Sequence, residues 1–341
     1  MATRILLYYC NTTNRILLPN VQPCRITLPS TKFSKQIKGF KKFANSTNDV
    51  KKPFTNFFSK SEGRQTFQSS LWKPFWFTVM FSGATIVGAV ICEYERARAQ
   101  AYSRIYPYRK YSVPKIGWRG KVHRWWNSLS EGEKVFVPIC FLNLLVCLAW
   151  RVPGWQKIMH TYFTANPAAR IVCWPMLLST FSHHSVLHFA INMYVLHTCM
   201  NIVVATLDKE QFMALYLCSG VFSSFTSHLY KVATGTLTTS VGASGAILGI
   251  LAYICSQYPN IEMHVIFLPM FTITGGMALK GLMTLDTVGM IAGWKIFDHA
   301  AHLGGAIFGI MWYNWGNAHI WQKREPIIQF WHSLRHPSKK A

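Results

Sequence analysis

Ser240-Val241-Gly242-Ala243-Ser244-Gly245-Ala246-Ile247-Leu248-Gly249-Ile250 is the stretch whose reading decides the fold. A small, polar, Gly-rich turn passes straight into an apolar helix, with Ser244 at the junction. In water that is an ordinary helix start. At membrane depth it demands an explanation, because backbone groups freed by a loop must find partners in protein or trapped water.

The rest of the chain supplies the apolar setting. Half of its 341 residues are hydrophobic and only 14% are charged, the balance of an all-α polytopic membrane protein. The charge is lopsided, 35 Lys and Arg against 12 Asp and Glu. The basic residues sit in both tails and the loops, not on one aromatic-studded face, so no nucleic-acid partner is expected. A surface of anionic, cardiolipin-like lipid is the natural contact for them. The nine cysteines never form Cys-x-x-Cys, and Cys92, Cys140, Cys147 and Cys218 fall within apolar runs, so they read as buried thiols.

Residues 1–70 are basic and rich in Ser, Thr and Asn, with Asp49 and Glu62 as their acidic residues, the composition of a mitochondrial transit segment. Residues 71–92 hold a first membrane helix, Pro74 to Cys92, anchored by Trp72 and Trp76. Its Ala84 and Gly88 offer a small face to another helix. Residues 93–133 form a polar interfacial connector, beginning as a charged surface helix and ending in the capping-box sequence Ser130-x-x-Glu133. A core over residues 134–316 follows, and 317–341 is a basic tail.

Within the core the spans are Val135 to Trp150, His184 to Ala205, Gln211 to Tyr230, Ser244 to Tyr258, Gly275 to Gly293 and Asp298 to Trp315. Arg151 to Thr180 reads as a partly embedded interfacial loop. Ile261 to Thr274, broken by Pro269, reads as a surface loop or short hairpin. The count is one helix plus six.

Parity then brings the polar residues together. His183, His188 and Asn192 lie near the start of the second core span, Ser244 opens the fourth, and His299 and His302 open the sixth. Even-numbered helices of a serpentine bundle run the same way, so their starts share one side and one depth. Gly245 and Gly249, facing Gly305 and Gly309, allow the fourth and sixth helices to approach closely, which sets Ser244 beside His302. An imidazole there can take the Ser hydroxyl proton and return it to a leaving amine. His188 and Asn192, four residues apart, share one helix face and can donate to a developing oxyanion together with the Ser244 N–H. A carboxylate to orient the base is the one missing role. His299 is the alternative base, and Asp286 is an intramembrane carboxylate without an assigned partner. His197, His228 and His264 read as ordinary packed or solvated histidines.

These residues resemble the rhomboid intramembrane serine proteases. The likeness rests on His183-x4-His188-x3-Asn192, on Gly242-Ala243-Ser244-Gly245 and on Ala301-His302-x-x-Gly305, and spans Lys134 to Trp315. The extra first helix, the basic leader and the run Asp298 to Gly305 look like the mitochondrial branch, the presenilin-associated rhomboid-like proteins. The resemblance implies a rhomboid six-helix core plus one N-terminal helix. It implies a Ser244–His302 dyad that needs neither carboxylate, cofactor nor metal. His188, Asn192 and the Ser244 N–H would bind the oxyanion, with His183 and Gly242 in support. It also implies a mobile fifth core helix that admits substrate.

Substrates would be single-span proteins of the mitochondrial inner membrane, with roles in mitochondrial dynamics, quality control and apoptosis. Counting helices from a matrix-side N-terminus puts Ser244 and His302 in the matrix half. Two positions depart from the family pattern: Pro175 follows Trp174 where many members have Arg, and Leu248 stands where many have a Tyr stacked on the base. A non-catalytic rhomboid-like protein that binds transmembrane helices is the alternative. A transporter would show a repeat or paired broken helices, and none is present.

Overall fold

The computed structural model describes residues 71–105, 117–265 and 268–336. The expected leader, part of the connector and the last five residues lie outside them. Helix α1 runs Trp72–Ile105, α2 Trp118–Ser128, α3 Glu131–Ala149, α4 Gln156–Tyr162, α5 Cys173–Leu178, α6 Val186–Thr234 and α7 Ser244–Gln257. A hairpin of β1 (Glu262–Val265) and β2 (Leu268–Thr274) follows, then α8 (Gly275–Ile291), α9 (His299–Met311), a π-helical extension (Trp312–Trp321) and α10 (Glu325–Arg335). By length and composition α1, α3 and α6 are each able to cross a membrane. The fold is all-α and polytopic, and the antiparallel pairing of β1 with β2 is its one small sheet among the described residues.

Local chemistry sets several boundaries. Ser130 caps α3 through its side chain on the Glu133 N–H, and Glu133 returns a bond to the Ser130 N–H at 2.7 Å, a complete capping box. Pro138 lies in the second turn of α3 and does not break it. The two spans expected at His184 to Ala205 and Gln211 to Tyr230 are present as the two helical limbs of α6, which break at Asp208. That residue sits at φ 60° and ψ 164°, outside the left-handed helical well and in backbone territory usually held by glycine, which turns one limb into the next. Gly235 then ends α6 at φ 67°.

Helix α1 also differs from expectation. No Gly or Pro falls within residues 93–105, so the helix continues to Ile105 rather than yielding to a separate surface helix. Its Ala84–Gly88 face is not the packing face. Ala84 is exposed and Gly88 half-buried, and a Cβ on Gly88 would meet nothing within 4 Å. Contact with the core runs instead through buried Val90, half-buried Ile86 and Ala89, and the Ser82 carbonyl, which accepts from Cys218 Sγ.

The charged end of α1 clasps two distant elements. Arg96 Nε and Nη2 each reach Glu210 on α6 at 2.8 Å, and Arg324 makes the same two-pronged contact to Glu93. Trp331 Nε1 and Arg335 on α10 both donate to Glu95. These are paired, geometrically specific bonds, stronger than single neutral ones.

The three helices that meet at the centre are the second limb of α6, α7 and α9. A Cβ on Gly305 would run into the Gly245 carbonyl oxygen, and one on Gly309 into that of Gly249. Ser219, Ser223 and Ser227, four residues apart, form one buried stripe of α6 facing this seam. Ser223 Oγ donates to the Ala301 carbonyl at 2.8 Å, and Ser219 Oγ lies 3.4 Å from the carbonyls of Gly245 and Gly305. Hydroxyls thus reach carbonyl oxygens that the helices would otherwise leave with a single partner.

Replacing Gly305 or Gly309 by Leu forces α7 and α9 apart. Thermal unfolding of the detergent-solubilised chain should show a loss on the order of 1–3 kcal/mol or more, the usual cost of overpacking. Gly88→Ala, in open space, should leave the midpoint unchanged or raise it slightly.

Candidate active site

The loop before α7 is pinned before the helix begins. Ala165 and Ser240 exchange both backbone bonds at 2.9 Å, and the Gly242 N–H donates to the Ser179 carbonyl at 2.9 Å. Gly242 has φ 127°, and a Cβ there would strike the His188 imidazole. Only glycine meets both demands. The Ala243 N–H points at His183 Nε2 at 3.4 Å, and the fully buried His183 ring meets His188 edge-on at 5.0 Å. His183 thus lies under the turn, and His188 beside it.

Ser244 occupies the first position of α7, so its own N–H has no acceptor within that helix. Its Oγ lies 2.9 Å from His302 Nε2. The two side chains belong to the starts of α7 and α9, which the glycine seam holds together. Ser244, His302 and His188 line a common cavity of about 410 Å³, together with Lys231, Ser240, Trp294, Phe297 and His299. Asn192 is not among the lining residues. It is buried, and its Nδ2 donates to the His188 carbonyl at 2.9 Å, leaving a second N–H uncommitted to that bond.

The structure corrects one expectation directly. A carboxylate does stand behind His302: Asp286 Oδ1 is 3.3 Å from His302 Nδ1 and 2.7 Å from His299 Nδ1. Asp286 is on α8 and 5% exposed. The parity reasoning that gathered the helix starts contained this signal. An odd-numbered helix ends where its successor begins, and Asp286 lies in the last turns of α8, just before α9. His299, the alternative base, is buried and turned toward Asp286 and Gly289, while His302 is the imidazole in reach of Ser244.

Leu248 has no ring to lay on His302, and a ring arrives from elsewhere. Phe297, in the loop between α8 and α9, lies with its centroid 6.0 Å from that of His302 at an interplanar angle of 32°. This loop also exposes Trp294 and Ile296. Sequence pattern gives no hint of this partner, since Phe297 is five residues from His302 in a segment without periodicity.

A second feature escaped the sequence. Asp298 caps α9, its Oδ1 accepting from the Ala301 N–H at 3.0 Å. Its Oδ2 accepts from Ser227 Oγ at 2.5 Å, from Lys231 Nζ at 2.8 Å and from Ser240 Oγ. One carboxylate therefore ties the end of α6, the loop leading to Ser244 and the start of the helix bearing His302. Lys231 is 5% exposed. Lys231→Met leaves the carboxylate without its counter-charge, and unfolding measurements should show a loss of about 3 kcal/mol or more. Adding Asp298→Asn to that variant should recover part of the loss, which a double-mutant cycle reads directly.

Comparison with known proteins identifies the family of the fold. A family model described as the Rhomboid domain matches residues 171–316. The human protein named presenilin-associated rhomboid-like protein, mitochondrial, is 47% identical over 277 residues, covering 78% of this chain and 72% of the relative. The zebrafish (Danio rerio) presenilin-associated rhomboid-like protein A, mitochondrial, is 41% identical over 296 residues, covering 79% and 76%. Rhomboid protein 1, mitochondrial, of Saccharomyces cerevisiae is 29% identical over 178 residues, about half of each chain. Members of this family are usually intramembrane serine proteases, and a protease-like function follows for the fold described above. With a rhomboid core, an added first helix and these relatives, the chain belongs to the rhomboid family, in its presenilin-associated rhomboid-like branch.

Proposed function

We propose that the chain is an intramembrane serine endopeptidase with Ser244 as nucleophile and His302 as general base. The 2.9 Å contact between Ser244 Oγ and His302 Nε2 carries this reading. In that geometry His302 accepts the hydroxyl proton as Oγ attacks the scissile carbonyl carbon. The oxyanion that develops is met by the Ser244 N–H at the start of α7, by the His188 imidazole and by the second N–H of Asn192. His302 passes its proton to the leaving amine as the C–N bond breaks, leaving an acyl ester on Ser244. Water from the cavity then attacks the ester, with His302 again taking a proton, and Ser244 is restored.

Asp286 acts through His302 as a positioning residue. Accepting from Nδ1 fixes the tautomer with its lone pair on Nε2, and the negative charge favours the imidazolium that forms in the reaction. A triad in this sense replaces the carboxylate-free dyad.

The substrate reading follows from packing. Helix α8, the fifth of the core, buries four of its residues, whereas α7 buries ten, so α8 is the wall that can yield to an incoming helix. Its neighbours at the cavity are the exposed rings of Trp294 and Phe297. A single-span protein whose helix unwinds near small residues suits that entrance. The relatives' mitochondrial names and the basic residues 1–70 support the mitochondrial inner membrane as the site of action, on substrates that bear on mitochondrial dynamics, quality control and apoptosis. The basic connector and tail suit anionic, cardiolipin-like lipid. Contacts of Phe75 with Phe225 and of Phe77 with Trp174 put the start of α1 at the Ser244 end of the bundle. With the N-terminus in the matrix, the catalytic end lies in the matrix half.

Reconstituted into liposomes with a single-span substrate, the chain should cleave it, and Ser244→Ala or His302→Ala should lower kcat by about a thousandfold or more. Cleavage that persists in both variants sinks the assignment and leaves the non-catalytic helix binder. His188→Ala should cost on the order of a hundredfold in kcat with little change in KM. Asp286→Asn should lower kcat while leaving KM near its original value, and equal loss in both would count against its role behind His302.

A further inference from the structure

His299 is a buried imidazole with no step assigned to it in the mechanism above. It is 4% exposed, and its Nδ1 lies closer to Asp286 Oδ1 than His302 does, 2.7 against 3.3 Å. Both imidazoles address the same oxygen. A carboxylate oxygen has two lone pairs and can accept from both at once. His299 Nε2, by contrast, has no hydrogen-bond partner and is buried. It faces Gly289 so closely that a Cβ on that residue would sit 2.5 Å from it.

We infer that His299 is a positioning residue for the proposed peptidase, holding the Asp286 carboxylate in the orientation from which it receives the Nδ1–H of His302. The inference rests on the reading of Ser244 and His302 as nucleophile and base. The geometry orients the His299 ring. With Nδ1–H donated to Asp286, Nε2 carries a lone pair against Gly289. A second proton there would bury a donor with no acceptor, a costly arrangement. The Nδ1 contact to Asp286 is thus the hydrogen bond that anchors the His299 ring, and through it the carboxylate that faces His302. The titratable groups facing His299 are Asp286 from α8 and His302 from its own helix. The loop between those helices presents the rings of Trp294 and Phe297, with centroids 6.0 and 6.1 Å from that of His299. Asp298, next in the chain, is committed to Lys231, Ser227 and Ser240.

Two imidazole N–H groups converging on one oxygen also explain the choice of side chain. A hydrophobic residue at 299 would leave the carboxylate free to rotate. A lysine would bring a charge that competes with His302⁺. Asparagine is the replacement that keeps a neutral N–H at nearly the same reach.

The test uses the full chain in detergent and reads the second-order rate at which a fluorophosphonate labels Ser244, across pH. Melting temperature of each variant controls for folding. His299→Leu should slow labelling on the order of tenfold or more and move the midpoint of the pH profile. His299→Asn should restore most of the rate and the original midpoint. In an Asp286→Asn background, His299→Leu should cause no further loss, because its effect runs through that carboxylate. An undiminished loss in that background overturns the inference, as does a faster His299→Leu or an Asn variant that folds yet labels as slowly as the Leu variant. Labelling that survives His302→Ala overturns the underlying assignment instead, so the two failures are told apart.

Discussion

The close approach of α7 and α9 is the constraint on which the structure depends. Glycine hydrogens at 305 and 309 rest against carbonyls at 245 and 249, and no side chain fits between. In lipid such contact gains little from hydrophobicity, because acyl chains are as apolar as leucine. It comes from dispersion across a short gap and from hydroxyls that cross it. Ser219 and Ser223 supply those hydroxyls from a third helix. The same approach determines how near a serine and an imidazole at the two helix starts can come. Packing and chemistry are thus one geometric fact seen at two heights along a single seam.

Much of this was legible because membrane chains leave polar residues few places to be. Ser244, His188, Asn192 and His302 stand out against apolar runs, and helix parity alone predicts that their spans begin on one side. The small-residue spacings of Gly245–Gly249 and Gly305–Gly309 pointed to the correct pair of helices. The same logic failed at Ala84, which is exposed, and at Gly88, where no neighbour comes within 4 Å of an added Cβ. Spacing identifies a smooth face, and only the positions of neighbouring helices decide whether another helix uses it. The continuation of α1 past Cys92 was hidden because a change from apolar to charged residues was read as a change of element. Helical hydrogen bonding is indifferent to that boundary when no Gly or Pro interrupts it.

What the sequence concealed are contacts made by irregular segments. Phe297 reaches His302 from a loop, and Asp298 gathers Lys231, Ser227 and Ser240 around one oxygen. No periodicity encodes these meetings. Asp286 is the intermediate case: its presence in a span announced it as unusual, but its partner could be named only once the end of α8 was set beside the start of α9. Asp286, His299 and His302 then meet at one carboxylate oxygen, which accepts from both rings.

The clasp at the opposite end of the bundle has a consequence in time. Glu93 and its partner Arg324 are separated by 231 positions, and Glu95 meets Arg335 across 240. During synthesis the first helix leaves the ribosome long before either arginine exists. Such distant pairings form late and slowly, since a long loop must close before any bond rewards it. The added helix is therefore made well before its partners and is among the last of the described elements to be secured.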